Sequence, residues 1–202
     1  MMSLVLDHTE TDTRTRILTV AERLFREIGY QKTTVADIAK VLKMSPANVY
    51  RFFDSKTAIH QAVAQRLMSE VEGAVETITH EPMSATDRVR EILATIHHMN
   101  AERYVGDAKL HEMVALAMEE SWDICDAHIS RMGGMVGRVI AEGIERGEFK
   151  PCDVELTASC LVAAMCRFFH PQMIAQCAKK IDPKLEQMIE FLIGAITVPK
   201  RG

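Results

Sequence analysis

Apolar side chains recur along this chain at intervals of three and four residues, the spacing of one face of an α-helix. Ile17, Ala21, Leu24, Phe25 and Ile28 form the first such stripe, and Gly29 ends it as a C-terminal cap. Longer stripes follow: Ile59, Val63, Leu67, Val71, Val75 and Ile78; then Val89, Ile92, Leu93, Ile96 and Met99. Trp122, Cys125, Ile129, Met132, Val136, Ile140 and Ile144 make another, closed near Gly147, and Leu185, Met188, Ile189, Leu192 and Ile196 make the last. A further segment covers about 107–118, and residues 154–169 are apolar almost all round, as a helix buried on several sides would be. Alternating Val/Ile/Thr runs and Asn-Gly hairpin turns are missing. The pattern predicts an all-α fold.

The punctuation agrees. Thr34 is placed to cap a short helix containing Ile38 and Ala39. Ser45 opens a second, with Pro46 at the first helical position, where proline is tolerated. Ser55 opens the long helix beyond it, and Pro82, Ser84, Pro171 and Pro183 interrupt the chain further on. The result is three short helices before residue 60 and a larger helical body after it. The expected division is a flexible arm at 1–12, a three-helix domain at 13–60 with a linking helix to about 79, and a body at 61–202.

Charge divides at the same place. The 202 residues carry a net charge of −4, which as a whole repels phosphate. From Thr13 to His60, however, nine Lys/Arg face four acids, giving +5, while from Gln61 onward the balance is −6. Such asymmetry points to two parts with different partners. The start of the sequence reads as no signal peptide, because it lacks a basic n-region. The longest apolar run, near Cys160–Cys166, is about a third of a membrane span. The five cysteines (125, 152, 160, 166, 177) show no CxxC spacing and read as small buried hydrophobes in a reducing cytosol. The expected location is cytoplasmic, with no membrane partner.

Short basic helices joined by tight turns suggest a helix-turn-helix, in which one helix crosses the DNA backbone and the next enters the major groove. The helices would be about 34–41 and 45–52, with Leu42-Lys43-Met44 as the turn. Val35, Ile38, Ala39 and Leu42 would face inward.

The wording of this segment resembles the N-terminal domain of the TetR family of bacterial transcriptional repressors. The matching residues are Ile17-Leu18, Ala21, Leu24-Phe25, Gly29-Tyr30, Thr33-Thr34-Val35, Ile38-Ala39, Leu42, Ser45, Val49-Tyr50, Phe53, Ser55-Lys56 and Ile59. The resemblance implies about nine helices: three for DNA, a fourth as linker, and five forming a ligand-binding and dimerisation body. It implies a homodimer on a palindromic operator, released by a small-molecule inducer. It also places Lys56 where the family has a phosphate-binding lysine, Tyr50 where a tyrosine reaches phosphate, and Thr34 where a capping hydroxyl does so. An ammonium and free N–H groups at a helix start suit phosphate.

Ser45, Ala47, Asn48 and Arg51 occupy the expected exposed positions of the recognition helix. Asn48 can pair adenine bidentately, and Arg51 guanine or a phosphate. Arg14 and Arg16 are candidate phosphate anchors on the first helix. Phe52 and Phe53 read as core. Lys43 stands where many family members have a turn glycine, and Ala47-Asn48 where they often have Gly-Thr, so base contacts cannot be borrowed.

The resemblance implies a pocket in the body. Candidate lining residues are Ile96, Met99, Met113, Leu116, Trp122 and Cys125, with Ile129, Met165 and Phe169; Met118, Met132 and Cys166 extend the set. Thirteen methionines favour an adaptable apolar cavity for a hydrophobic or amphipathic inducer. The dimer interface is expected on the last two long helices of the plan, through Leu161, Met165, Phe168, Leu185, Met188, Ile189, Leu192 and Ile196. His111 with Asp107 or Glu112, and His128 with Asp123 or Glu120, lack the spacing of a strong metal motif, so no metal is expected. No GxSxG, HExxH, P-loop or dinucleotide fingerprint occurs, and neither an enzyme nor a cofactor is expected. The alternatives are a helical interaction module without DNA binding and, behind it, a helical enzyme.

Overall fold

The computed structural model describes residues 2–105, 107, 109–110, 113–114, 116, 122–177 and 183–199. Among them ten helices follow one another: α1 (Met2–Ile28), α2 (Val35–Val41), α3 (Pro46–Tyr50), α4 (Lys56–Thr79), α5 (Ala85–Tyr104), α6 (Trp122–Glu145), α7 (Val154–Ala164), α8 (Cys166–Phe169), α9 (Pro171–Cys177) and α10 (Leu185–Ile196). None of the described helices is long and apolar enough to cross a membrane. Contacts divide the chain into two units, one comprising Met1–Leu67 with Asp107–Ser121, the other Met68–Gly106 with Trp122–Gly202.

In the first unit α1 begins at Met2, not after residue 12 as the sequence reading had it. Neither proline nor glycine interrupts the polar start, so nothing stops the helix. Thr15 and Thr19 turn their hydroxyls back onto the carbonyls of Thr11 and Thr15, at 2.9 and 3.0 Å, a back-bonding that a helix accommodates at slight cost. Gly29 ends α1 at φ +95°, its N–H bonded to Phe25 O at 3.0 Å. The core of this unit is the predicted stripe: Ile17, Ala21, Phe25, Ile38, Val49, Ile59 and Val63 have no exposed surface. Burying each large aliphatic or aromatic side chain contributes about 1.5–3 kcal/mol.

The α2–α3 turn is made without glycine. Met44 N donates to Ala39 O at 3.0 Å and Lys43 N to Lys40 O at 3.2 Å, which closes the last carbonyls of α2. The closure requires a left-handed residue, and Lys43 supplies it at φ 56°.

The second unit is a helical bundle. Val71, Val75, Val89, Ile92, Leu93, Val136, Val139 and Ile140 form its centre, joined by Leu161, Met165, Phe168, Leu185, Ile189 and Leu192. The Glu148 carboxylate caps α5, accepting from Ala85 N at 3.1 Å and Thr86 N at 3.0 Å. This attraction to a helix start holds its pKa below the ordinary value, against the opposing effect of burial. An isolated β-bridge joins Phe149 to Thr197.

The apolar segment 154–169 is not one helix. α7 ends at Ala164 and the short α8 starts at Cys166. Pro171 has no N–H to continue the ladder. Side chains of α5 take over: His97 Nδ1 donates to Phe168 O at 2.9 Å, and Asn100 Nδ2 to Phe169 O at 2.9 Å. The cysteines also differ from expectation. Cys125 is buried, its thiol pKa pushed up by desolvation and by Asp123, but Cys152, Cys160 and Cys166 are exposed.

Candidate nucleic-acid interface

The recognition helix is fixed at its start by its own sequence. Ser45 Oγ accepts from Asn48 N at 3.2 Å, and Pro46 occupies the first turn. Inward, Val49 is fully buried and Phe53 is 3% exposed. Outward, Ser45, Ala47, Tyr50 and Arg51 are exposed and Asn48 is half-buried. The Asn48 amide is turned back, Nδ2 lying 3.8 Å from Met44 Sδ. One amide hydrogen and the carbonyl oxygen remain for a base edge.

The two capping hydroxyls differ. Ser45 uses an oxygen lone pair for its cap, so its O–H is free to donate to phosphate. The Thr34 hydroxyl accepts from Asp37 N at 3.2 Å and also donates to the Asp37 carboxylate at 2.6 Å, while Thr34 N donates to that carboxylate at 2.9 Å. These bonds from Thr34 hold the Asp37 pKa below its ordinary value. An ionised carboxylate beside a committed hydroxyl disfavours phosphate there.

Arg14 also departs from its expected role. Its Nη1 donates to Phe52 O at 2.7 Å, and the guanidinium lies 4.1 Å over the Phe53 ring. It thereby ties α1 to the residues that leave the recognition helix. A planar cation fits this stacked, hydrogen-bonded seat better than an ammonium would. Arg16, two residues on and so on the opposite side of α1, is exposed.

Lys56 stands at the start of α4, where Ser55 Oγ accepts from Ala58 N at 2.9 Å. Its ammonium donates to Gln31 O at 3.2 Å and sits 4.3 Å from the centre of the Tyr30 ring. Partial burial lowers its pKa. Two of its three N–H groups remain for another partner.

The candidate pocket residues fall in both units of the chain. Ile96 and Met165 are buried in the core of the second unit, with Met99 and Phe169 packed against it. Met113 and Leu116 belong to the first unit. Ile129 is 43% exposed. Cys125 is buried, and the Trp122 side chain and Met118 lie outside the described residues. Among the described residues no three His, Cys, Asp or Glu side chains are arranged to hold a metal. His128 instead meets Glu72, Nδ1 to Oε1 at 2.6 Å, where Arg131 also donates at 2.9 Å; His111, Glu112 and Glu120 lie outside the described residues.

Of the residues expected at a dimer interface, Leu161, Met165, Phe168, Leu185, Ile189, Leu192 and Ile196 are buried within the chain itself, and Met188 is half-buried. The opposite faces of the same helices are open: Leu156 on α7 is 62% exposed and Phe191 on α10 is 73% exposed. A helix that is apolar all round has two faces to bury, and periodicity does not say which one meets the chain's own core.

Sequence reasoning missed His60, which is fully buried and stacks on Tyr30 at 4.2 Å. Its spacing of four from Lys56 puts both on one face of α4 and was the available signal. It also missed Arg66, which joins α4 to α1 through Glu22 and Thr19.

Comparison with known proteins adds the following. Residues 17–63 match the family profile described as bacterial regulatory proteins, tetR family, and residues 85–189 match the profile described as tetracyclin repressor-like, C-terminal domain. The chain is 24% identical over 155 residues to the uncharacterized HTH-type transcriptional regulator YhgD of Bacillus subtilis, covering 73% of this chain and 77% of that protein. It is 30% identical over 110 residues to the HTH-type transcriptional regulator UidR of Escherichia coli, covering 45% of this chain and 56% of that protein. The fold is similar to that of SmeT, the repressor of the Stenotrophomonas maltophilia multidrug efflux pump SmeDEF, with a TM-score of 0.68 at 20% identity over 93% of this chain and 91% of that one.

Proposed function

Because the chain belongs to the TetR family of bacterial regulatory proteins, with matches over residues 17–63 and 85–189, we propose that this DNA-binding transcriptional regulator is a cytoplasmic repressor. It acts as a homodimer on a palindromic operator and is released by a hydrophobic or amphipathic small molecule. The observation that carries the DNA contact is the outward face of α3 and its flanks, Ser45, Ala47, Tyr50 and Arg51, on a segment of net charge +5. Positive charge supplies affinity by releasing counterions from phosphate, and the groove-facing side chains supply discrimination. Asn48 and Arg51 are the proposed base readers. Ser45, Tyr50, Lys56 and Arg16 are the proposed phosphate contacts. Arg14 and Thr34 act by holding the helices in place.

The dimer rests on the open faces of α7 and α10, where Leu156 and Phe191 are exposed beside the small residues Ala163, Gly194 and Ala195. Pairing these faces with their mates gives a four-helix contact, the self-complementary arrangement of a two-fold dimer. The effector is placed against α5 and α8, among Ile96, Met99, Met165 and Phe169, with His97 and Asn100 as the polar groups that orient it.

The test is fluorescence-anisotropy titration of duplexes covering the region upstream of the protein's own gene. The expected result is tight binding to one palindrome, weakened by Tyr50→Ala and Lys56→Ala and by rising salt. Wild type and variants binding alike, without salt dependence, would sink the assignment.

A further inference from the structure

Asp107, Lys109, Leu110 and Met113 lie in the sequence between α5 and α6, yet they group with the first unit, the one that carries α2 and α3. Asp107 Oδ2 accepts from Arg26 Nε on α1 at 3.0 Å, and Lys109 Nζ donates to Glu27 O. Leu110 and Met113 have no exposed surface. The third tie is buried: His60 Nε2, on α4, lies 2.7 Å from Met113 O. A carbonyl only accepts, so the proton is on Nε2.

The other side of this arrangement leads to DNA. The His60 ring is stacked on Tyr30 at 4.2 Å with 27° between planes, and Phe25 meets both rings edge-on. Tyr30 in turn seats the Lys56 ammonium, 4.3 Å from its ring centre, beside Gln31 O. A continuous series of contacts therefore runs from Met113 O through His60 and Tyr30 to Lys56. Removing the carbonyl would leave a buried donor without its acceptor, the costly case for a hydrogen bond. The ring, and with it the seat of Lys56, therefore depends on the position of Met113 O.

We propose that His60 is a positioning residue for DNA binding, which couples the placement of residues 107–116 to the grip of Lys56 on phosphate. This rests on the phosphate role proposed for Lys56. Coupling is reciprocal, so DNA itself serves as the probe.

The experiment measures affinity against salt for a duplex selected by the wild-type protein from a random library. Lys56→Ala should lower the slope of log K against log salt by about one phosphate contact. His60→Phe, which keeps the stacked ring but loses the donor, should lower it by the same amount, and the double variant should lose no more than either single one. His60→Gln, which keeps a donor, should retain the wild-type slope. In hydrogen exchange, the duplex should raise the protection of amides in 107–116 of wild type and His60→Gln but not of His60→Phe. A folded His60→Phe with the wild-type slope, or additive losses in the double variant, overturns the proposal while leaving the DNA-binding reading intact. So does wild-type protein whose 107–116 amides ignore bound duplex. Wild type that binds no duplex overturns both.

Discussion

Gly143 lies under the ring of Phe149 so closely that a Cβ placed on it would overlap the ring and come within 2.9 Å of Ala85 Cβ. Phe149 is 1% exposed and Ala85 has no exposed surface, so neither can yield into solvent. Gly143→Ala should destabilise the second unit by about 1–3 kcal/mol through overpacking. Gly73, on α4, has nothing within 4 Å of a built Cβ. Gly73→Ala should stabilise by about 0.5–1 kcal/mol, because it removes only the entropic cost of a helical glycine. Opposite shifts in thermal unfolding by circular dichroism are expected; equal shifts would contradict the packing argument.

Lys43 holds φ 56° in the turn before the recognition helix. A side chain there costs roughly 1 kcal/mol that glycine avoids. Lys43→Gly should raise the unfolding midpoint in urea, whereas Lys43→Ala, which removes the charge but keeps the Cβ, should not. A gain shared by both variants would mean that charge, not backbone strain, sets the effect.

Glu72 is half-buried between His128 and Arg131, and although burial favours its neutral form, hydrogen bonds from Arg131 and His128 hold its pKa below the ordinary 4.5. A depressed carboxylate pKa contributes stability above its unfolded value and loses it as pH falls through the folded one. Glu72→Gln should therefore cost about 1–2 kcal/mol at neutral pH. The gap to wild type should narrow as the pH drops below the carboxylate range. Urea unfolding at pH 7 and in acid measures it; a gap that stays constant with pH would contradict an ionised Glu72.

Leu161 and Phe191 separate two kinds of apolar position on α7 and α10, the helices proposed to pair with their mates. Leu161 is 3% exposed and Phe191 is 73% exposed. Phe191→Asp should dissociate the dimer in sedimentation at micromolar concentration with little change in the protomer's helicity. Leu161→Ala should cost about 2–5 kcal/mol of stability through the cavity it leaves. The reverse pattern would place the interface on the inward faces.

Arg14→Ala should weaken operator binding while leaving the salt slope near the wild-type value, because Arg14 serves Phe52 O and the Phe53 ring. A slope lowered by about one contact would instead assign it to phosphate.

Much of this molecule was legible in one dimension. The stripe Ile17–Ile28, the caps at Thr34, Ser45 and Ser55, and the stop at Gly29 are local features. Each depends on a side chain and backbone groups within four residues, so sequence determined them. The recognition segment was legible for the same reason: Ser45, Pro46 and the buried Val49 and Phe53 define its start and its inward face.

Tertiary structure decided which partner each group took. Nothing near Arg14 in sequence announces that Phe52 O and Phe53, about forty positions on, will claim its guanidinium. The Thr34 hydroxyl was a cap by sequence, but the bond that commits its hydrogen to Asp37 is a matter of geometry. The largely apolar segment 154–169 gave no direction, and only packing turned Leu161 inward and left Leu156 outside. His60 is the clearest case. The helical period placed it beside Lys56, but its function depends on a carbonyl 53 residues away. Local hydrogen bonding and periodicity fix elements, whereas burial and long-range partners fix what their side chains are free to do.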